Sequence, residues 1–384
     1  MNVLKIGTHV LGSIAFAAMQ WAVLVFISKY MGVDSAGAFS YYLAIFSPLA
    51  IFCALNLKSI YSADVSKKFS LEQYEGVRTY FIACYLFLGI FFLSINEDYL
   101  LIGIVIFLVK LIEIFAELIY GKWVSEGNPQ YFGYSKIIKL SLFLAFSAII
   151  LSIGNPEFIY LFYPIAFFLG YIIYDKRKSK VKLDFIKFNK LKEVFFYILP
   201  FVATSFLISL NTSIPRFYID FYYDKKIVAE FMYLIYFLTI MLLPLNSAFQ
   251  ALLPKIKTRK KAGFIFTLIY SLCFSLFFFI FCEKLLSYFY NYEEYIPAKV
   301  KFALVLMMLL QSLVVYINML YVSSMKFKKI FQMTLINTVI IVVLNYFFIN
   351  HYGYYGVYYA SCLSSLMLFL NLCNSYLKDK GNVV

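Results

Sequence analysis

Charge and histidine are scarce in this chain. Of its 384 residues only 14% are Asp, Glu, Lys or Arg, against about 25% in an ordinary soluble domain, so it cannot clothe a large water-facing surface. The only histidines are His9 and His351. With no HExxH and no carboxylate–histidine cluster, a metal centre has no ligand set, and neither metal nor cofactor is expected. The six cysteines, Cys53, Cys84, Cys273, Cys282, Cys362 and Cys373, all fall in apolar stretches without CxxC spacing. That excludes a disulfide framework and makes them small packing residues. Arginine is rare as well, 4 against 30 lysines. No short apolar core with a small-residue cleavage site opens the chain, so the first apolar run is expected to stay as a membrane helix.

What is abundant is apolar length. Hydrophobic residues make up 63% of the chain and the mean hydropathy is +0.82. Runs of about 20 apolar residues, each long enough to cross the hydrocarbon as a helix, recur from end to end. Spans are predicted at 6–28, 36–57, 79–95, 99–120, 137–153, 157–174, 194–218, 227–253, 262–282, 302–323, 330–349 and 353–377. The expected fold class is therefore an all-α polytopic membrane protein of about 12 transmembrane helices, in two six-helix lobes around a central cavity.

The net charge of +14 does not point to nucleic acid, because the positive residues cluster in short segments between spans. With the N-terminus inside, inner segments carry 25 Lys or Arg and outer ones 6. This bias places both termini in the cytoplasm. The richest inner segment, "DKRKSKVKLDFIKFNKLKEV" (Asp175–Val194), suits contact with anionic membrane lipid. It also suggests the organisation: an N-terminal lobe over 1–174, a basic linker over 175–193 and a C-terminal lobe over 194–384. Sliding the chain by 192 residues lays "KYMGVDSAGAFSYYLAIF" (29–46) over 221–238, matching Tyr30 with Tyr222, Phe39 with Phe231 and Tyr41 with Tyr233. A repeat with six spans between equivalent points is parallel, as in two-lobed transporters.

A charge inside the hydrocarbon costs about 3 kcal/mol or more, so each one needs a reason. The fourth span carries Lys110, Glu113 and Glu117, within about 60° of one another on one helical stripe. Two readings are open: a self-neutralising Lys110–Glu113 pair that locks helices, or a cavity lining in which Glu113 and Glu117 couple transport to a proton or sodium ion. "NTSIPRFYIDFYYD" (211–224) carries the only arginine inside the predicted spans, Arg216, directly after Pro215. Arg216 either snorkels to the headgroups, pairs with Glu230 or Asp220, or uses its planar fork to hold a carboxylate or phosphate. Helix breaks are expected at Pro215 and at Pro244. Asn211, Thr212 and Ser213 supply polar side chains beside the first. Gln20, Asn56, Asn246, Gln250, Gln311, Asn318, Asn337 and Asn345 either line a cavity or bond between helices.

The stretch "NTSIPRFYIDFYYDKKIVAEFMYLIYFLTIMLLPLNSAFQALLPKI" (211–256), with its "SIPRF" turn, resembles the seventh and eighth helices of bacterial Wzx-type polysaccharide-unit flippases of the multidrug/oligosaccharidyl-lipid/polysaccharide exporter superfamily. "SKYMGVDSAGAFSYYLAIFSPLAI" (28–51) and "HYGYYGVYYASCLSS" (351–365) are similar to that family's first and last outer turns. The resemblance implies a substrate, an oligosaccharide on undecaprenyl diphosphate, moved across the bacterial inner (plasma) membrane for O-antigen or capsule assembly. It further implies that Arg216 and Lys110, with Asn211 beside the break, contact the diphosphate, and that a polymerase and chain-length protein of the same pathway are partners. One alternative is an integral-membrane polysaccharide polymerase or ligase. That would carry catalytic Arg or His in a large outer loop, whereas the longest here, Glu283–Lys301, has 19 residues and neither. A multidrug exporter of the same superfamily is the other alternative.

Overall fold

Inside a bilayer a backbone amide has no water to bond, so an apolar run satisfies itself as a helix and ends where turn chemistry interrupts it. The computed structural model describes residues 3–63, 68–95, 98–179, 188–252, 256, 260–292, 295–324 and 326–381. Among the described residues every regular element is helical and no strand occurs, in agreement with the predicted class. Residues 180–187 of the basic segment, and Pro254, lie outside them.

Internal packing divides the chain into two units, Met1–Ser209 and Leu210–Val384. The first holds α1 (Val3–Met31), α2 (Val33–Cys53), the short α3 (Leu57–Ala63), α4 (Leu71–Ile95), α5 (Leu100–Ser125), α6 (Gln130–Ile153), α7 (Ile159–Gly170) and α8 (Arg177–Ser179). A wide π-helical turn, Tyr171–Lys176, joins the last two. Next, α9 (Phe188–Tyr222) runs from the first unit into the second, which continues with α10 (Lys225–Leu252), α11 (Lys260–Tyr290), α12 (Ala298–Ser323), α13 (Phe327–Tyr352) and α14 (Gly356–Gly381). The unit boundary falls inside α9 rather than at 193/194. Val194, Ile198 and Val202 are buried in one core with Leu55, Leu57, Val77 and Leu118, and this holds the start of α9 to the first unit. Among the described residues ten stretches are long and apolar enough to cross a bilayer, one of which, Phe327–Lys378, takes in α13 and most of α14. The 26-residue α5 has the same reach and is set apart from the ten by its charges.

Local chemistry explains the ends. α6 stops at Gly154, whose φ of 75° lets its amide fold back onto Ile150 O at 3.0 Å. Asn155 then accepts from the Glu157 amide at 3.1 Å, with Pro156 supplying the next turn. Where α1 crosses α6 only glycine fits: a Cβ on Gly12 would lie 2.3 Å from Gly133 Cα, and one on Gly133 would lie 2.1 Å from Thr8 O. Small residues of this kind allow membrane helices to approach backbone to backbone.

The breaks expected at Pro215 and Pro244 are not interruptions, since α9 continues to Tyr222 and α10 to Leu252. Each proline removes one amide donor, and the bonds on either side carry the helix past it. A real break occurs instead after α2, at Ala54–Asn56, where the sequence has no proline. There Leu55 and Asn56 take φ values of 57° and 45°, a left-handed conformation that costs about 1–2 kcal/mol per non-glycine residue. The repeat seen in the sequence has a packing counterpart: Phe39 of α2 meets Tyr163 of α7 at 6.5 Å, and Phe231 of α10 meets Tyr358 of α14 at 5.2 Å. Polar residues of the second unit mostly bond between or within helices. Gln311 donates to Ser365 at 2.7 Å, Ser364 to Asn337 at 3.0 Å, and Asn345 to Ile341 O at 2.7 Å.

A candidate charge cluster in the first unit

α5 presents Lys110, Glu113 and Glu117 on one stripe. The Lys110 ammonium donates to Glu113 Oε2 at 2.8 Å. The other oxygen, Glu113 Oε1, is buried and accepts no hydrogen bond among the described residues. Glu117 takes the backbone N–H of Lys58, the second residue of α3. So Lys110 and Glu113 pair along one helix, a geometry common to both readings, and Glu117 is turned toward α3.

Several further charges meet this stripe that the sequence assigned to inner loops or passed over. Lys136 and Lys139, one turn apart on α6, are both buried, the latter at 1% exposure. Lys139 donates to Asp175 Oδ2 at 2.6 Å and to Tyr120 Oη at 2.7 Å, while Tyr120 donates to Asp175 at 3.1 Å and meets Ser135 Oγ at 3.0 Å. Asp175, fully buried, is brought in by the π-helical turn, and its Oδ1 has no hydrogen-bond partner among the described residues. On α4, Arg78 is buried rather than in a loop; it donates to Glu75 Oε1 at 2.7 Å and to Phe115 O at 2.8 Å. α4 begins at Leu71, so the predicted start at 79 left this buried arginine outside the third span.

Two ammonium groups rest on rings instead of carboxylates. Lys58 Nζ lies 3.7 Å from the Phe132 centroid, and Lys136 Nζ 3.7 Å from that of Phe16. Neither forms an ion pair with a described residue. A ring face holds a cation with the attraction of its quadrupole but does not neutralise it. Across the cluster, Lys58, Arg78, Lys110, Lys136 and Lys139 face Glu75, Glu113, Glu117 and Asp175, five cations to four carboxylates. The signal available in the sequence was the Lys136/Lys139 spacing, which repeats on α6 the i, i+3 step of Lys110/Glu113.

Arg216 and Asn211 belong to the second unit. Arg216 is 9% exposed, and its guanidinium sits among protein with Tyr236 as an electrostatic neighbour, which does not fit snorkelling. Of its candidate partners, Asp220 is bridged by Lys225, and Glu230 has Lys226 at 3.9 Å. Asn211 Oδ1 is buried and accepts no hydrogen bond from the described residues.

No protein-family model matches the chain. It is similar to the capsular polysaccharide biosynthesis protein CapF of Staphylococcus aureus, 27% identical over 252 residues, a match spanning 64% of this chain and 63% of that protein. Solved structures match along nearly the whole length. A MOP-superfamily transporter from Pyrococcus furiosus, with a binding pocket described as of reversed polarity, superposes with a TM-score of 0.71 at 15% identity, over 97% of this chain and 95% of that one. An inward-facing multidrug resistance MATE transporter gives 0.72 at 15% identity over 97% and 98%. An outward-facing multidrug resistance MATE transporter gives 0.70 at 14% over 98% and 96%. At such identities the likeness speaks to architecture: this multi-pass helical membrane protein has the two-lobed fold of the MATE transporters of the MOP superfamily.

Proposed function

We propose that the chain is a flippase for an oligosaccharide carried on undecaprenyl diphosphate, moving it from the inner to the outer leaflet of a bacterial plasma membrane, with both termini cytoplasmic. A fold alone does not fix the cargo, so charge has to decide. The observation that carries the reading is the excess of cations in the cluster of the first unit, five to four carboxylates, with Lys58 and Lys136 on rings and no described carboxylate at ion-pair distance from either. An excess cation held in a low-dielectric setting is costly, and an anionic headgroup would balance it. Organic cations, the cargo of many drug exporters, find no such welcome there. The likeness to a capsular polysaccharide biosynthesis protein supports the same pathway.

In this reading Arg216, Lys110 and Asn211 contact the headgroup during the cycle, and Glu113 is the candidate for coupling to a proton or sodium gradient. A polymerase and a chain-length protein would act after it on the outer face. Deleting the gene is expected to abolish surface polysaccharide while lipid-linked units accumulate on the inner leaflet. Units that reach the outer leaflet but stay unpolymerised would make the protein a polymerase. A deletion that changes only survival in cationic drugs would make it an exporter.

A further inference from the structure

Lys58 reaches the charge cluster only because the helix breaks where it does. α3 is seven residues long and starts immediately after the two left-handed residues. Its first turn is closed by the Asn56 carbonyl, which accepts from the Ser59 and Ile60 amides at 3.1 and 3.2 Å. Beside the Glu117 bond to the Lys58 backbone N–H, three contacts hold it in place. On α5, Gly121 makes room: a Cβ there would lie 2.9 Å from Leu57 O and 3.0 Å from Lys58 Cα. On α6, the Phe132 ring sits under the Lys58 ammonium. On α9, Ser205 Oγ accepts from Asn56 Nδ2 at 2.6 Å and itself donates to Phe201 O at 3.1 Å.

The third contact ties the break itself to α9. Asn56 precedes α3 with a left-handed φ of 45°, and its side-chain amide donates to another helix. Strained backbone of this kind survives only where the surroundings over-determine it, and the sound inference runs from the outlier to a function.

We propose that the Ala54–Asn56 break is a two-state joint coupling the charge cluster of the first unit to α9, the helix that carries Asn211 and Arg216. In the docked state α3 lies against Gly121 with Lys58 over Phe132 and Asn56 bonded to Ser205. In the other state Leu55 and Asn56 return to right-handed helical angles and α3 continues α2. The contacts are then given up as a set, because the consecutive residues Asn56, Leu57 and Lys58 make all of them. Whatever changes the environment of Lys58 or Glu117, an anion at the ammonium included, thereby shifts the Asn56–Ser205 bond. By reciprocity a change at Ser205 shifts Lys58. The joint itself is independent of the cargo; only its use in transport rests on the flippase reading.

The test perturbs one end and reads the other, by hydrogen–deuterium exchange on the full chain in lipid nanodiscs without substrate. Ser205→Ala, a change confined to α9, is expected to speed exchange of the α3 amides at 57–63 about fivefold or more. Lys58→Met, which alters no contact of α9, is expected to do the same for the α9 amides around 201–209. Asn56→Gly accepts the left-handed angle without strain but lacks the amide, and should reproduce the effect on α9. Exchange in α1 and α12 should stay at the wild-type rate. Changes confined to the mutated helix, or a rise spread evenly through the chain, would each overturn the joint. The leaflet assay fails or succeeds separately, since no cargo is present in the exchange measurement.

Discussion

Lys139→Met isolates what the best-buried ion pair contributes. Lys139 and Asp175 have side-chain exposures of 1% and 0% at a separation of 2.6 Å, so removing the ammonium leaves a carboxylate in a low-dielectric interior. Among the described residues only the Tyr120 hydroxyl remains to donate to it. Breaking such a pair from one side costs about 3–5 kcal/mol, roughly a hundredfold to a few thousandfold in the folded-to-unfolded ratio. Removing both charges avoids the orphan. Lys139→Met with Asp175→Leu is therefore expected to recover most of the loss, to within about 1 kcal/mol of the parent, because the desolvation penalty disappears with the attraction. The assay is the fraction of monodisperse protein surviving a heating series in mild detergent, read by fluorescence-detected size exclusion. A single variant as heat-resistant as the parent, or a double variant no better than Lys139→Met, would refute the reasoning.

Gly170 seats the lysine stem, since a Cβ there would lie 2.5 Å from Lys139 Cγ; Gly170→Ala should lower the same midpoint by a smaller amount, and Gly170→Val by more. Arg216→Ala is expected to cripple flipping in reconstituted vesicles at an unchanged yield of inserted protein, with Arg216→Lys only partly active because a point charge cannot form the planar fork. Full activity of the alanine variant would leave Arg216 no role in transport. Glu113→Gln should make flipping insensitive to the proton or sodium gradient, while Glu117→Gln, bonded to the Lys58 amide instead of an ammonium, should do less. A Lys110→Met, Glu113→Leu double variant that flips with normal gradient dependence would remove Glu113 from coupling.

The helices were legible from apolar length alone, because a membrane segment needs no partner to declare itself. α5 was legible in a second way: its three charges share a stripe, and the structure pairs two of them. The rest of the cluster was hidden by the same rule that revealed the topology. Lys58, Arg78 and Lys136 lie near span ends and counted as inner-loop positive charge, yet each is folded in against protein. Asp175 looked like the first residue of a basic linker, and nothing in its neighbours announces a π-helical turn. Lys139 stands only a few residues inside a predicted span, in a run otherwise apolar enough to pass unnoticed. The prolines misled in the other direction, since a membrane helix tolerates the loss of one donor and both α9 and α10 continue past theirs. The true break depends on where Gly121 and Ser205 stand, which no local signal in Ala54–Asn56 records.

The wide turn at Tyr171–Lys176 also bears on the length the chain needs at this point. A hydrogen-bonded ring closed from i to i+5 holds one residue more than a ring closed from i to i+4. Such a turn takes up one residue more than an α-helical turn of the same rise. A variant with one residue of the turn deleted would run straight from α7 into α8, with no carboxylate displaced toward Lys139, and should be tolerated best when Lys139 is made uncharged as well.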